Sequence, residues 1–151
     1  IDNVMQFIWE PSQSYQGTTI WTHLLDQYRY KPGFSGLRWS YGDPPVNSSN
    51  INELATEIQQ NAIQRATWFR PATKGTQKES VVLFPWGSDF DHYKAVDDFY
   101  NMDQLVEYLN MNKTFNIRAE YATLHDYFKT IHDADMTWNT YGSHDFLSYA
   151  D

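Results

Sequence analysis

The sequence contains no cysteine, which excludes a disulfide framework and any thiolate metal site. Basic residues are scarce. Lys and Arg number 11 against 19 Asp and Glu, for a formal charge of −8, and no basic run or stripe occurs. A nucleic-acid partner, which is held through clustered cations, is therefore not expected. Long apolar runs are missing too. The longest is far short of the roughly 20 residues that a membrane-spanning helix needs, and no secretory signal is visible. Neither G-x-S-x-G, nor a P-loop, nor G-x-G-x-x-G occurs, so the short motifs for a serine nucleophile, a nucleotide phosphate and a dinucleotide are absent.

Aromatic residues, by contrast, are plentiful. They make up 17% of the 151 residues, with six Trp and eleven Tyr. Such side chains fill a core or stack on sugars and bases, and the acidic balance favours sugars. For Trp9, Tyr28, Tyr30, Trp39, Tyr41 and Trp86, core packing and stacking both remain open. Two N-x-[ST] sequons, at Asn47 and Asn112, permit glycosylation in a secretory compartment. The length suits one domain with a real core. The chain starts at Ile1 without an initiator Met and is read as a segment of something longer.

Residues 4–9 (VMQFIW) and 18–25 (TTIWTHLL) read as short strands. The Gly-, Pro- and Ser-rich stretch 31–50 reads as a long loop. Asn50, with Glu53 in capping-box position, opens a predicted helix over 50–70. Its apolar stripe is Ile51, Leu54, Ala55, Ile58, Ala62, Ala66 and Phe69. The continuous apolar run 81–86 has the pattern of an interior parallel strand. A second helix is expected at about 95–110, with Phe99, Met102, Val106 and Leu109 on one side. The alternation in 115–122 (FNIRAEYA) reads as a strand. Thr123 with Asp126 caps a third helix over 124–132. Strand, helix, strand, helix at these spacings is a βαβα unit, so the class is α/β with a parallel sheet.

Ligands in parallel α/β sheets bind beyond the carboxyl ends of strands. Asp89 lies just past the 81–86 run, in Gly87-Ser88-Asp89-Phe90. An apolar wall of Phe84, Trp86 and Phe90 suits a carboxyl group kept protonated for general-acid work. A turn carboxylate bonding local N–H groups explains the same residues. No metal site emerges. Asp89, Asp91 and His92 do not share a face if the strand continues, and His125 and His132 are about 10 Å apart along a helix.

Taken in order, the blocks FIWEPS, LLDQYRYKPGF, LFPWGSDF, ATLHDYF and HDFLSYAD resemble the class II α-mannosidases, glycoside hydrolase family 38, and most of all their lysosomal branch. The resemblance covers nearly the whole chain. It implies a piece, residues 1–151, covering the second half of the N-terminal catalytic α/β domain of a longer multidomain enzyme. That enzyme would be a retaining, zinc-dependent exo-α-mannosidase acting on terminal α-mannose of glycoprotein glycans. Asp89 matches the family's candidate general acid/base. Tyr28, with Tyr30 as the other register, matches the tyrosine before the Pro-Gly-Phe turn that contacts the sugar, and Trp86 lies in the same site.

The H-x-D zinc motif and the nucleophile block are not in this sequence. The resemblance therefore places the zinc ligands and the nucleophile outside this chain, which by itself would be inactive. A homo-oligomer in the lysosome or secretory pathway is expected. The competing reading is a non-catalytic carbohydrate-binding or structural segment, since one catalytic carboxyl alone does not make a glycosidase.

Overall fold

The computed structural model describes residues 5–11, 17–25, 44–69, 80–87, 92–134 and 137–142. The architecture is α/β, the expected class, although neither strand of the predicted βαβα unit is among its strands. Strands β1 (Gln6–Glu10), β2 (Ile20–His23) and β3 (Thr140–Gly142) form one sheet in the order β2-β1-β3. The sheet is mixed: β1 runs antiparallel to β2, with Gln6 opposite His23, and parallel to β3, with Ile8 opposite Thr140. A parallel pair needs a long crossover. Here the crossover carries helices α1 (Ile51–Trp68), α2 (Ala95–Met111) and α3 (Leu124–Asp133).

Helix α1 sits where the stripe places it. Leu54, Ala55 and Ile58 are buried, whereas Ala62 and Ala66 are only half-buried. The expected Asn50–Glu53 capping box does not form. Asn50 instead turns its side chain back to the preceding loop, accepting from the Asn47 N–H (2.8 Å) and donating to the Pro45 carbonyl (3.0 Å).

Helix α2 buries Leu105 and Leu109 and leaves Phe99 exposed. Its core stripe is thus Met102, Leu105 and Leu109, at helical spacing. Together with Val46 and Phe115, these helices close an aliphatic core. At α3 the reciprocal Thr123–Asp126 capping box is present as expected.

Two expected strands are not seen. Residues 81–87 are half-buried but pair with no strand among the described residues. Side chains supply hydrogen bonds to this segment's backbone. The buried Arg65 guanidinium donates to the Leu83 carbonyl (2.8 Å) and lies 4.5 Å from the Phe84 ring centre. Residues 115–122 begin as a 3-10 turn at Lys113–Phe115 and then run on outside the sheet. Their period-2 alternation is real, since Phe115, Ile117 and Ala119 turn inward. The backbone of Ala119, however, is held by the Asn110 side-chain amide rather than by a strand. The amide donates to the Ala119 carbonyl (2.8 Å) and accepts from its N–H (2.9 Å).

Candidate active-site segment

The run 81–87 leads to the motif that the sequence singles out. Phe84 and Trp86 pack against the aliphatic core, so the ring of Trp86 is partly committed to packing. At Gly87 the backbone takes φ +155°, a conformation that side-chain-bearing residues rarely adopt. Asp89 and Tyr28 lie outside the described residues. The chain is described again at His92, with φ 64°, a left-handed conformation uncommon for residues other than glycine.

His92 contacts both the end of the 81–87 run and the start of α2. Its Nε2 lies 3.1 Å from the Trp86 carbonyl, and its Nδ1 lies 3.0 Å from Asp98 Oδ2 in the first turn of α2. A backbone carbonyl only accepts, so Nε2 is the donor in that contact. Phe99 stacks beside the imidazole with ring centres 6.2 Å apart, and Tyr121 follows at 5.8 Å from Phe99. The Tyr121 hydroxyl donates to Asp103 (2.8 Å). Partial burial and that carboxylate push its phenol up to about 12. The helix start thus presents exposed aromatic rings at Tyr93, Phe99, Tyr100 and Tyr121.

A second polar cluster sits between the sheet and α3. The buried Gln6 amide donates to the Tyr127 hydroxyl (2.7 Å) and lies 3.2 Å from His23 Nδ1. His23 stacks on Phe69 at 4.6 Å. Burial raises the Tyr127 phenol far above its ordinary range. Gln6 Oε1 is buried with no hydrogen-bond partner among the described residues. Nothing in the sequence singles out Gln6, Tyr127 or Arg65, because a lone polar residue in an apolar pattern carries no sign of its partner.

Both sequons are folded into local turns. Asn47 Oδ1 accepts from the Ser49 N–H (2.9 Å), and Asn112 Oδ1 accepts from the Thr114 N–H (3.2 Å) and hydroxyl (2.7 Å). Among the described residues, no three His, Asp or Glu side chains converge on one point. None of the described helices is long and apolar enough to cross a membrane.

Comparison with known proteins decides what this arrangement belongs to. The family profile of the glycosyl hydrolases family 38 N-terminal domain matches residues 2–151. The chain belongs to glycosyl hydrolase family 38. Among its relatives, the epididymis-specific alpha-mannosidase of Homo sapiens is 34% identical over 97% of this chain and 16% of its own length. Alpha-mannosidase B of Dictyostelium discoideum is 31% identical over 86% of this chain and 13% of its own length. Lysosomal alpha-mannosidase of the same organism is 27% identical over 97% and 14%. This family 38 chain therefore spans about a seventh of the length of these curated relatives.

Proposed function

We propose that this chain is a catalytic-domain segment of a retaining exo-α-mannosidase that removes terminal α-mannose from glycoprotein glycans. The observation that carries the proposal is the family 38 match across residues 2–151, with Asp89 in the Gly-Ser-Asp-Phe motif that follows the 81–86 run. A retaining glycosidase works with two carboxyl groups about 5–5.5 Å apart. Asp89 is the general acid/base: it protonates the departing glycosidic oxygen, then takes a proton from the water that releases the sugar. The nucleophile comes from outside this chain. Tyr28 and Trp86 contact the sugar.

The enzyme is zinc-dependent, with ligands outside this chain. When bound, the metal supplies Lewis-acid polarisation of sugar hydroxyls. The protein works in the lysosome or secretory pathway, carries glycans at Asn47 and Asn112, and assembles with further copies of itself. The relatives named as lysosomal and epididymis-specific alpha-mannosidases support that setting.

The test is Asp89→Asn in the full-length enzyme. General acid/base catalysis is typically worth about 10²–10⁴-fold, and a loss in that range is expected on a mannosyl-mannose disaccharide. Added azide restores turnover of an activated aryl mannoside and yields α-mannosyl azide, because azide replaces water without needing a base. Full activity of Asp89→Asn on the disaccharide would reduce Asp89 to a turn carboxylate.

A further inference from the structure

A helix on a protein surface turns its apolar residues to the core and its polar ones to water. Helix α2 departs from this over its first two turns. Leu105 and Leu109 face the aliphatic core. Val96 and Tyr100, which the helical period places on the opposite side, are nevertheless apolar or aromatic and 83% and 66% exposed. Phe99 beside them is exposed as well, and its ring meets the exposed ring of Tyr121 with centres 5.8 Å apart. Further along, the outward positions are Asp103 and Glu107, both exposed, so this apolar outer face belongs to the start of the helix. We infer that in the complete enzyme the face formed by Val96, Phe99, Tyr100 and Tyr121 is covered by another part of the same polypeptide, one that brings apolar side chains flanked by Lys or Arg.

Side chains of this size gathered on one surface mark a contact site, and Tyr and Phe are among the residues that protein interfaces enrich. The charge around the face sets the chemistry of what covers it. Helix α2 carries Asp97, Asp98, Asp103 and Glu107 and contains no Lys, Arg or His. A surface bearing cations is attracted to such a helix, and an acidic one is repelled. A second copy is therefore disfavoured, because a two-fold contact would set these carboxylates against their own copies. This chain spans only about a seventh of its relatives, which leaves most of a family 38 mannosidase outside it. A tethered segment also acts at a high effective concentration. The inference rests on the reading of this chain as a segment of a longer enzyme and is independent of the role of Asp89.

The experiment is hydroxyl-radical footprinting of the ligand-free, full-length enzyme, read residue by residue by mass spectrometry. The urea-unfolded enzyme gives the intrinsic rates. Phe99, Tyr100 and Tyr121 should be protected as strongly as Phe115, which is buried within this chain, and dilution should not change that. Val96→Lys places a charge in the covered face, where it has no partner and repels the covering cations. It should speed oxidation of Phe99, Tyr100 and Tyr121 by about tenfold, the population change that 1.4 kcal/mol brings, and leave Phe115 unchanged. The wild-type footprint decides the matter even if that variant fails to fold.

Near-intrinsic rates at the three rings in the folded wild-type enzyme would overturn the inference, as would a folded Val96→Lys variant with unchanged protection. Protection lost on dilution would assign the face to a second copy. Protection gained only with an added mannose oligosaccharide would assign it to a glycan. Either result overturns the inference while leaving the longer enzyme in place. A native polypeptide of only these 151 residues would remove the longer-enzyme reading itself, and this inference with it.

Discussion

The two packed regions of this molecule are held by different chemistry. Between α1 and α2 the core is aliphatic: Val46, Leu54, Ala55, Ile58, Leu105 and Leu109, closed by the ring of Phe115. Between the sheet and α3 the contacts are aromatic and polar. Phe7 meets Tyr141 edge-on at 5.0 Å, Trp21 meets Phe128 and Trp138 at 5.0 Å each, and Gln6, His23 and Tyr127 share hydrogen bonds. An aliphatic core needs volume and shape, and its neighbours substitute for one another with modest loss. A buried polar cluster needs every partner in place, because an orphaned donor keeps its full desolvation penalty. The first region is a scaffold and the second a set of dependent contacts.

The sharpest way to break the scaffold is Leu105→Ala. Leu105 is 2% exposed at the centre of the helical core, and truncating such a residue costs about 2–5 kcal/mol through lost transfer energy and a residual cavity. Urea unfolding should show the lower midpoint.

The polar region should respond less to a single atom but in a coupled way. Tyr127→Phe removes the shorter of the two contacts of the Gln6 amide, leaving it His23 Nδ1 at 3.2 Å, and should cost about 1–3 kcal/mol. Adding Gln6→Leu removes the weakened amide along with Oε1, which has no hydrogen-bond partner among the described residues. The double variant should then be less unstable than the sum of the two single ones, with a coupling of about 0.5–3 kcal/mol in a double-mutant cycle. Strict additivity would mean that Gln6 and Tyr127 do not act as a pair, and the contrast with the aliphatic core would vanish.

The smallest effect lies at the start of α3. Thr123→Ala removes one side of the capping box and should cost about 1 kcal/mol. Hydrogen bonds from the Thr123 hydroxyl and N–H hold the Asp126 carboxyl below its ordinary value of 3.8. A carboxyl group lowered in the folded state stabilises it above the ordinary value, and that contribution is lost as the pH falls through the lowered one. The wild-type protein should therefore lose the contribution below about pH 4, and Thr123→Ala should show a weaker dependence there. Parallel acid-unfolding curves for the two proteins would show that the box does not act through Asp126.

Local signals in the sequence are read only in part. The first turns of the α1 stripe (Leu54, Ala55, Ile58) and the Thr123–Asp126 box depend on neighbours a few positions apart and are present, whereas the equally local Asn50–Glu53 box does not form. The strand pattern at 4–9 and 18–25 likewise yields β1 and β2. The fixed order of blocks such as LFPWGSDF and HDFLSYAD carries the family.

What the sequence by itself determined, then, is the helices, the first two strands and the family, because each is written in residues that are close together or kept in order. Only the tertiary structure decided which apolar runs become strands. A run at 81–86 or an alternation at 115–122 states what each face prefers, but strand formation needs a partner backbone, and here Arg65, His92 and Asn110 bond to that backbone instead. Tertiary structure alone also put His92 between Trp86 and Asp98. Those contacts depend on a left-handed turn and on the direction in which α2 begins, and neither is encoded at any single position.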